Sequence, residues 1–362
     1  MASCAAMGHG DGSGALEAAG ARAPTAPIIG ASLVSKCFQQ PRRFPGLLGG
    51  LRSLFTREFT RVEAVSEVSF EIRAGEAVGY LGPNGAGKST MIKMLTGILL
   101  PSSGSVRVLG REPHAERLKN AREIGVVLGQ RSQLWWDLPV IDSFELHRRM
   151  YRIPEPRYRE NLARFSALLG LESFLERAVR QLSLGQRMRA ELVMALLHDP
   201  KILFLDEPTI GLDVVAKDAV RRFLREVNLE QGVTVILTTH DLQDIEQICP
   251  RLILVNEAKL LFDGQLSELR SALGSRRRLK LEFSGDPGPI ALPYAELVTD
   301  AGALKHYRIE REDVSLVGVL STLRDRADLE NVSIEEPSIE ELIRSVYSAG
   351  AGLPAPATRG AG

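Results

Sequence analysis

The sequence has few cysteines, no excess of either charge and no long apolar run. Three cysteines are scattered over 362 residues, which fits a reducing cytosol better than a disulfide framework or a metal site. Forty-five basic residues balance forty-five acidic ones, so no overall field attracts nucleic acid or anionic lipid. No apolar stretch comes near the ~20 residues that a membrane-spanning helix needs. We therefore expect a globular protein that cannot cross a bilayer by itself.

Both ends of the chain and one internal stretch lack the pattern of packed structure. Residues 1–27 are rich in alanine and glycine but have no cationic start followed by an apolar core, which favours a disordered tail over a secretory signal. Residues 348–362 are also expected to be disordered. A Pro/Gly-rich basic insertion at 41–58 is interpreted as a solvated loop or, alternatively, as a helical insertion that touches a partner or lipid head groups.

The middle of the chain has the pattern of an α/β protein. Continuous apolar runs predict strands buried on both faces, namely AVGYLG (77–82), IGVVLG (124–129), ILFLD (202–206) and TVILTTH (234–240). Helical patterns lie between these runs. The succession predicts a mainly parallel sheet with crossover helices.

Changes in the pattern suggest how the chain is divided. The α/β domain is expected over 28–271, with a helical subdomain inserted at 131–182, where apolar residues recur at helical spacing. Residues 272–347 read as a small accessory α+β domain of ordinary size. This small domain carries no phosphate, metal or catalytic pattern, so a regulatory or dimer-stabilising role is expected for it.

The strongest chemical motif is a glycine-rich loop between a predicted strand and a predicted helix. It consists of Gly82, Pro83, Asn84, Gly85, Ala86, Gly87, Lys88, Ser89 and Thr90. Its glycines let backbone N–H groups converge on phosphate oxygens, where a side chain would block the approach. Lys88 can reach the β- and γ-phosphates, and the Ser89 hydroxyl can hold Mg²⁺. The motif predicts a site for ATP with Mg²⁺.

An acidic pair follows the run ILFLD. Asp206 is expected to bind Mg²⁺ through water, and the adjacent Glu207 to polarise the attacking water. Taken alone, such a pair could merely begin the turn before Pro208. Its value as a catalytic signal depends on the motifs around it.

Four further motifs make the whole set resemble the ATP-binding-cassette (ABC) ATPases. LSLGQ (182–186) resembles the signature motif, Gly211-Leu212-Asp213 the D-loop, His240 the switch histidine and Gln130 the Q-loop glutamine. The motifs occur in the family's order over residues 28–270. The resemblance implies a P-loop NTPase (ABC ATPase) core of α/β class with a mainly parallel sheet, an inserted helical subdomain and the small C-terminal α+β domain.

The resemblance also implies that ATP lies between two cassettes. Lys88, Glu207 and His240 would be the catalytic residues, with His240 donating a hydrogen bond to the γ-phosphate. Gln130 would touch Mg²⁺ or water. The nucleotide on one subunit would be closed over by Ser183 and Gly185 of the other, and Gln186 and Asp213 are also expected to bind nucleotide. Ser183 suits this role because it is placed to cap the helix that follows.

Two positions need separate interpretation. Leu184 stands where the family's signature usually has glycine, and we interpret it as a variant that faces away from the phosphate. Phe59 lies upstream of Ala64 at the offset where the family stacks an aromatic ring on adenine. Phe44 and Phe55 compete for that role, and a core role for any of them is an equal alternative.

The same resemblance indicates a task. Stretches such as GQRSQLWWDLPVIDSFEL are similar to bacterial ABC-2-type exporter ATPases, including viologen- and drug-efflux-like members, whose permease is a separate multi-span polypeptide. Trp135 and Trp136 suit a hot spot for a permease helix, or alternatively pack inside the helical subdomain. The expected protein is an ATPase subunit on the inner face of the cell membrane, paired with a second cassette as a homodimer. The alternatives are a soluble ABC mechanoenzyme acting on ribosomes or nucleic acid, which the neutral charge disfavours, and a regulator that binds ATP without hydrolysis.

Overall fold

The computed structural model describes residues 26–41, 59–129, 132–272, 278–309, 315–323, 328–335 and 338–349. Four predicted features lie wholly or mostly outside these ranges: the tail at 1–27, the insertion at 41–58, Gln130 and the tail at 348–362.

The described ranges contain thirteen strands. They are β1 (Ile29–Pro41), β2 (Phe59–Ile72), β3 (Ala77–Leu81), β4 (Ser103–Val108), β5 (Ile124–Leu128), β6 (Ile202–Asp206), β7 (Thr234–Thr239), β8 (Arg251–Asn256), β9 (Lys259–Gln265), β10 (Arg278–Phe283), β11 (Ala295–Ala301), β12 (Leu304–Ile309) and β13 (Leu329–Glu335).

The α-helices lie between and after the strands. They are α1 (Lys88–Leu95), α2 (Arg117–Ala121), α3 (Val140–Tyr151), α4 (Glu155–Leu169), α5 (Leu184–Leu196), α6 (Val214–Gln231), α7 (Leu242–Ile248), α8 (Leu266–Ala272), α9 (Leu316–Thr322) and α10 (Ile339–Ala349). Within the stretch 132–182 the regular elements are α3, α4 and a 3₁₀ turn at Val179–Gln181, as the helical spacing predicts.

The central sheet has the strand order β5-β6-β7-β3-β8-β9. The first five strands are parallel and β9 is antiparallel to β8. Every residue of β3, β6 and β7 is buried, because each face of the sheet has its own apolar core. The neighbours β6, β7 and β3 run in the same direction, so the segments that follow them meet at one edge.

One face of this sheet is covered by α1 and a three-stranded antiparallel sheet of order β2-β1-β4. The opposite face is covered by α3 to α7. Phe165 of α4 and Phe223 of α6 meet edge to face there, with ring centroids 5.9 Å apart. This contact joins the helices inserted before the signature motif to the helices beside the sheet.

A four-stranded antiparallel sheet of order β11-β12-β10-β13 follows the central sheet and has its own small core. The helix that comes after it, α10, packs its apolar face against α7 and β9 of the larger core. Glu341 of α10 also pairs with Arg278 of β10, at 2.8 Å. The last described helix therefore connects the small sheet to the larger core.

Within the described ranges, no helix is long and apolar enough to span a bilayer.

We expect Phe223→Ala to lower the free energy of unfolding by about 3–5 kcal/mol, because it leaves a cavity beneath α4. Val215→Ala on the same helix is the control, since Val215 is 79% exposed and its loss changes the free energy by less than about 0.5 kcal/mol. Urea unfolding followed by circular dichroism, without nucleotide, measures both. A loss under about 1 kcal/mol for Phe223→Ala would contradict the packing described here.

Candidate nucleotide-binding site

The glycine-rich loop joins the end of β3 to the start of α1. Gly87, the residue before the helix, has φ 94°, and a Cβ there would lie 2.0 Å from the carbonyl oxygen of Ala64. The left-handed backbone and the contact with β2 both require glycine. The loop is therefore held against a neighbouring strand.

Lys88 is the first residue of α1 and is buried. Its Nζ donates to the carbonyl oxygens of Gly82, at 2.8 Å, and Pro83, at 3.2 Å. These bonds hold the ammonium group inside the ring of the loop, next to the positive end of the helix dipole. The ammonium group of Lys88 and the N-terminus of α1 thus both contribute positive potential at the loop.

A cavity of about 380 Å³ opens beside the loop. It is lined by Ala64, Asn84, Gly85, Gly87, Lys88, Ser89, Thr90, Gly129, Asp206, Glu207 and Ile210. The predicted phosphate loop and the predicted acidic pair therefore face the same space, although more than 110 residues separate them in sequence. Strand order brings them together, since β3 and β6 flank β7.

Thr238 of β7 supports the acidic side of the cavity. Its hydroxyl donates to Oδ1 of Asp206, the residue paired with it across the sheet. The Glu207 N–H donates to the carbonyl oxygen of Thr238 at 2.9 Å and to its hydroxyl at 3.2 Å. Glu207 has φ 54°, a strained conformation for a non-glycine residue, and these bonds hold it there.

The Glu207 carboxylate lies beside His240, which follows β7. Oε1 of Glu207 and Nδ1 of His240 are 3.4 Å apart. A protonated Nδ1 can donate to this oxygen and so fix the direction in which the carboxylate points. The structure thus brings the switch histidine to the acidic pair.

The predicted signature residues lie outside this cavity and are held by local bonds at the start of α5. Ser183 Oγ accepts from the Gln186 N–H at 3.2 Å, and the Gln186 side-chain oxygen accepts from the Ser183 N–H at 3.0 Å, forming a capping box. Asp213 likewise caps α6, its Oδ1 accepting from the Ala216 N–H at 2.8 Å. Gly185 is half-buried and faces Ala216.

Comparison with known proteins agrees with this arrangement. Residues 65–210 match the family model described as ABC transporter. Nod factor export ATP-binding protein I of Rhizobium sp. (strain N33) is 33% identical over 282 residues, 77% of this chain and 90% of that protein. The chain belongs to the ABC transporter ATP-binding proteins. An ABC cassette of this kind binds ATP and is an ATPase.

Two further similarities concern length and assembly. The probable multidrug ABC transporter ATP-binding protein YbhF of Escherichia coli (strain K12) is 37% identical over 218 residues, which are 60% of this chain and 37% of that protein. The chain thus spans little more than a third of the length of YbhF. A bacterial ABC transporter cassette solved as a dimer superposes with a TM-score of 0.55 at 25% identity, covering 66% of this chain and 99% of that one.

Leu184, where this cassette departs from the usual signature, packs onto the D-loop of its own chain. A Cβ placed on Gly211 would lie 2.8 Å from Leu184 Cδ2. The leucine side chain therefore points towards Gly211. It lies at the rim of a neighbouring cavity with Ile210 and Met188, while the phosphate cavity has no Leu184 atom in its lining.

Phe59 is exposed as the first residue of β2 and does not line the cavity, whereas Ala64 of the same strand does. Its stacking on adenine stays a prediction. The competitors Phe44 and Phe55 and the Q-loop Gln130 lie outside the described residues.

Three residues that line or support the cavity were not predicted from the sequence, namely Thr238, Gly129 and Ile210. Thr238 gave a usable signal, because a hydroxyl residue in a wholly buried strand needs a hydrogen-bond partner. Gly129 directly follows β5, and its N–H donates to the Asp206 carbonyl oxygen at 2.9 Å. That contact joins the strand leading to Gln130 to the acidic pair, and nothing in the sequence around Gly129 indicates it.

We expect Gly87→Ala to weaken ATP binding by at least about tenfold, because the new Cβ cannot be placed without shifting the loop away from Ala64. Gly110→Ala is the control, since Gly110 also has a positive φ of 74° but no atom lies within 4 Å of its new Cβ. Displacement of a fluorescent ATP analogue measures both affinities. Equal affinities in the two variants would show that the loop tolerates the shift.

Proposed function

We propose that this chain is the ATP-hydrolysing subunit of a membrane exporter and works as a pair of cassettes. The observation that carries the proposal is the meeting of Lys88, Asp206 and the Glu207–His240 pair at one cavity. These groups are the ones that ATP hydrolysis needs: a cation for the phosphates, a carboxylate for a metal ion, and an oriented carboxylate for water.

The cavity residues fit Mg²⁺ as well as ATP. Ser89 offers a hydroxyl and Asp206 a carboxylate, and hard oxygen ligands of this kind suit Mg²⁺, with water filling its other positions. When bound, the ion would neutralise charge on the β- and γ-phosphates. Lys88 and the start of α1 would hold the phosphates, and Glu207 would accept a proton from the attacking water while His240 directs the carboxylate.

A second copy of the chain would complete the site. Ser183, Gln186 and Asp213 lie at helix starts outside their own phosphate cavity, where capped N-termini can face an anion from elsewhere. Val214 and Val215, next to Asp213, are largely exposed apolar side chains, and such patches mark interaction surfaces. We infer that ATP is sandwiched between two such cassettes in a homodimer.

A groove of this chain, lined in part by Ala195 of α5, is suited to dock the permease. A cavity of about 650 Å³ runs between α2 and α3, with Ile98, Leu118, Tyr151 and His198 among its lining residues. Ile98 and Leu118 are exposed. Trp135 and Trp136, each 54% exposed, follow the lining residue Gln133 closely in the sequence. An apolar helix end of a separate, ABC-2-like multi-span membrane protein would cover this surface.

Export is the direction we propose, since relatives are named for multidrug transport and Nod factor export. The cassette would then be peripheral on the inner face of the cell membrane. We further propose that 28–271 is the ATPase domain, with 131–182 as its helical subdomain. Residues 272–347 would be an accessory domain that stabilises the pair.

We expect Glu207→Gln to lower kcat by roughly 10²–10⁴-fold, because the amide can no longer accept the proton of water. ATP binding should persist, so the variant should accumulate as an ATP-bound dimer visible by light scattering. Glu230→Gln, at an exposed position of α6, is the control. Undiminished phosphate release from Glu207→Gln would remove this residue from the base role.

We expect Leu118→Asp to weaken association with the permease about tenfold, because the side chain is 81% exposed in the groove and the change places a charge at an apolar contact. Leu229→Asp, 69% exposed on α6, is the matched control. Co-purification with the membrane protein of the neighbouring gene measures the effect. Equal loss in both variants would argue against this groove.

A further inference from the structure

The helix that begins after Ser183 carries a buried carboxyl group that the phosphate cavity does not use. Glu191 lies in the middle of α5 and is 4% exposed. Burying a carboxyl group is unfavourable unless it has partners, so its surroundings are informative. Its hydrogen-bond partners lie in the segment that starts at Ser132, and Glu191 and Ser132 line a cavity that shares Gly129 and Ile210 with the phosphate cavity.

One oxygen of Glu191 collects hydrogen bonds from consecutive residues of that segment. Oε1 accepts from the Ser132 hydroxyl, from the Gln133 N–H at 2.9 Å and from the Leu134 N–H at 3.4 Å. The Ser132 hydroxyl oxygen also accepts from the Leu134 N–H, at 3.2 Å. A single acceptor on α5 therefore fixes the backbone of the segment directly.

The fixed segment leads straight into the exposed tryptophan pair. Trp135 N–H donates to the hydroxyl of Ser143 at 3.1 Å, and the guanidinium of Arg187 lies 5.9 Å from the ring centroid of Trp136. Arg187 is one helical turn before Glu191 on the same face of α5. The helix thus contacts the segment at two points: Glu191 at residues 132–134 and Arg187 at Trp136.

The other oxygen shows which property of Glu191 matters. Oε2 is buried and has no hydrogen-bond partner within the described residues. Burial is the main cause that raises the pKa of Glu191. A packed apolar side chain would fill this space at a lower cost in desolvation. The part of the group that the segment uses is therefore the acceptor atom Oε1 and its reach.

We propose that Glu191 is a positioning residue that clamps residues 132–134 to α5, so that the tryptophan pair and the signature residues at the start of α5 move as one unit. Ser183 is eight residues from Glu191, about 12 Å along the helix axis. Displacement of the tryptophans by a docked helix would then shift Ser183 and Gly185 relative to the phosphates they meet. The docking partner and the meeting of Ser183 and Gly185 with phosphates of a second subunit both rest on the proposed function, whereas the clamp of residues 132–134 by Glu191 does not.

The two tryptophans of the sequence are Trp135 and Trp136, so the intrinsic tryptophan fluorescence of the full chain reports this segment alone. Glu191→Gln keeps the acceptor oxygen and its reach but removes the charge. Glu191→Asp keeps the charge but shortens the reach by one methylene. Glu172→Gln makes the same chemical change at an exposed position outside α5 and is the control.

We expect Glu191→Asp to raise the acrylamide quenching constant and shift the emission maximum to the red, with kcat lowered roughly tenfold and KM for ATP unchanged. Glu191→Gln and Glu172→Gln should match the original protein in all four quantities. Rescue by the amide separates positioning by hydrogen bonds from a role for the charge.

Three results would overturn the proposal: no change of quenching in Glu191→Asp, a loss in Glu191→Gln as large as in Glu191→Asp, or altered quenching with unaltered kcat. If Glu191→Asp fails to fold, Ser132→Ala removes one donor to the same oxygen and is judged by the same readouts. Quenching is measured without ATP, so absence of turnover in the original protein would count against the proposed function and leave the clamp to be decided by fluorescence.

Discussion

The hydrogen bonds between β6 and β7 place Asp206 opposite Thr238, and the acidic side of the nucleotide cavity depends on this pairing. Thr238 binds the Asp206 carboxylate and holds the backbone of Glu207. Because β3 lies on the other side of β7, the same register brings Lys88 to the opposite wall. A slip of one residue would turn Thr238 to the other face and remove its hydroxyl from the Asp206 carboxylate and the Glu207 N–H.

Glu207 shows how the sheet supports strain at this edge. A non-glycine residue at φ 54° is disfavoured by roughly 1–2 kcal/mol, yet two bonds from its N–H to Thr238 fix it there. The strained turn directs the side chain towards His240. The geometry that suits water activation is thus maintained by a fully buried strand, which is among the most rigid parts of the molecule.

Helix α5 links three regions that are far apart in sequence. Its start carries the capping box of Ser183 and the contact of Leu184 with Gly211. Its middle carries Arg187 and Glu191, which hold the segment before α3. A helix is stiff along its axis, so contacts at its middle are mechanically connected to its first turn. Leu184, which stands where the signature motif usually has glycine, adds to this connection through its contact with Gly211 of the D-loop.

Local features could be read from the sequence because their partners are close in the chain. Gly87, the caps at Ser183 and Asp213, and the buried strands all follow from backbone conformation, short-range hydrogen bonds or uninterrupted apolar runs. The order of the motifs was enough to indicate an ABC cassette. Tertiary structure alone decided the rest: the contact of Glu207 with His240, the support from Thr238, the direction of Leu184 and the bonds of Glu191 to residues 132–134. These partners are about 30 to 60 residues apart, and what places them together is strand order, register and helix packing, which no short stretch of sequence contains.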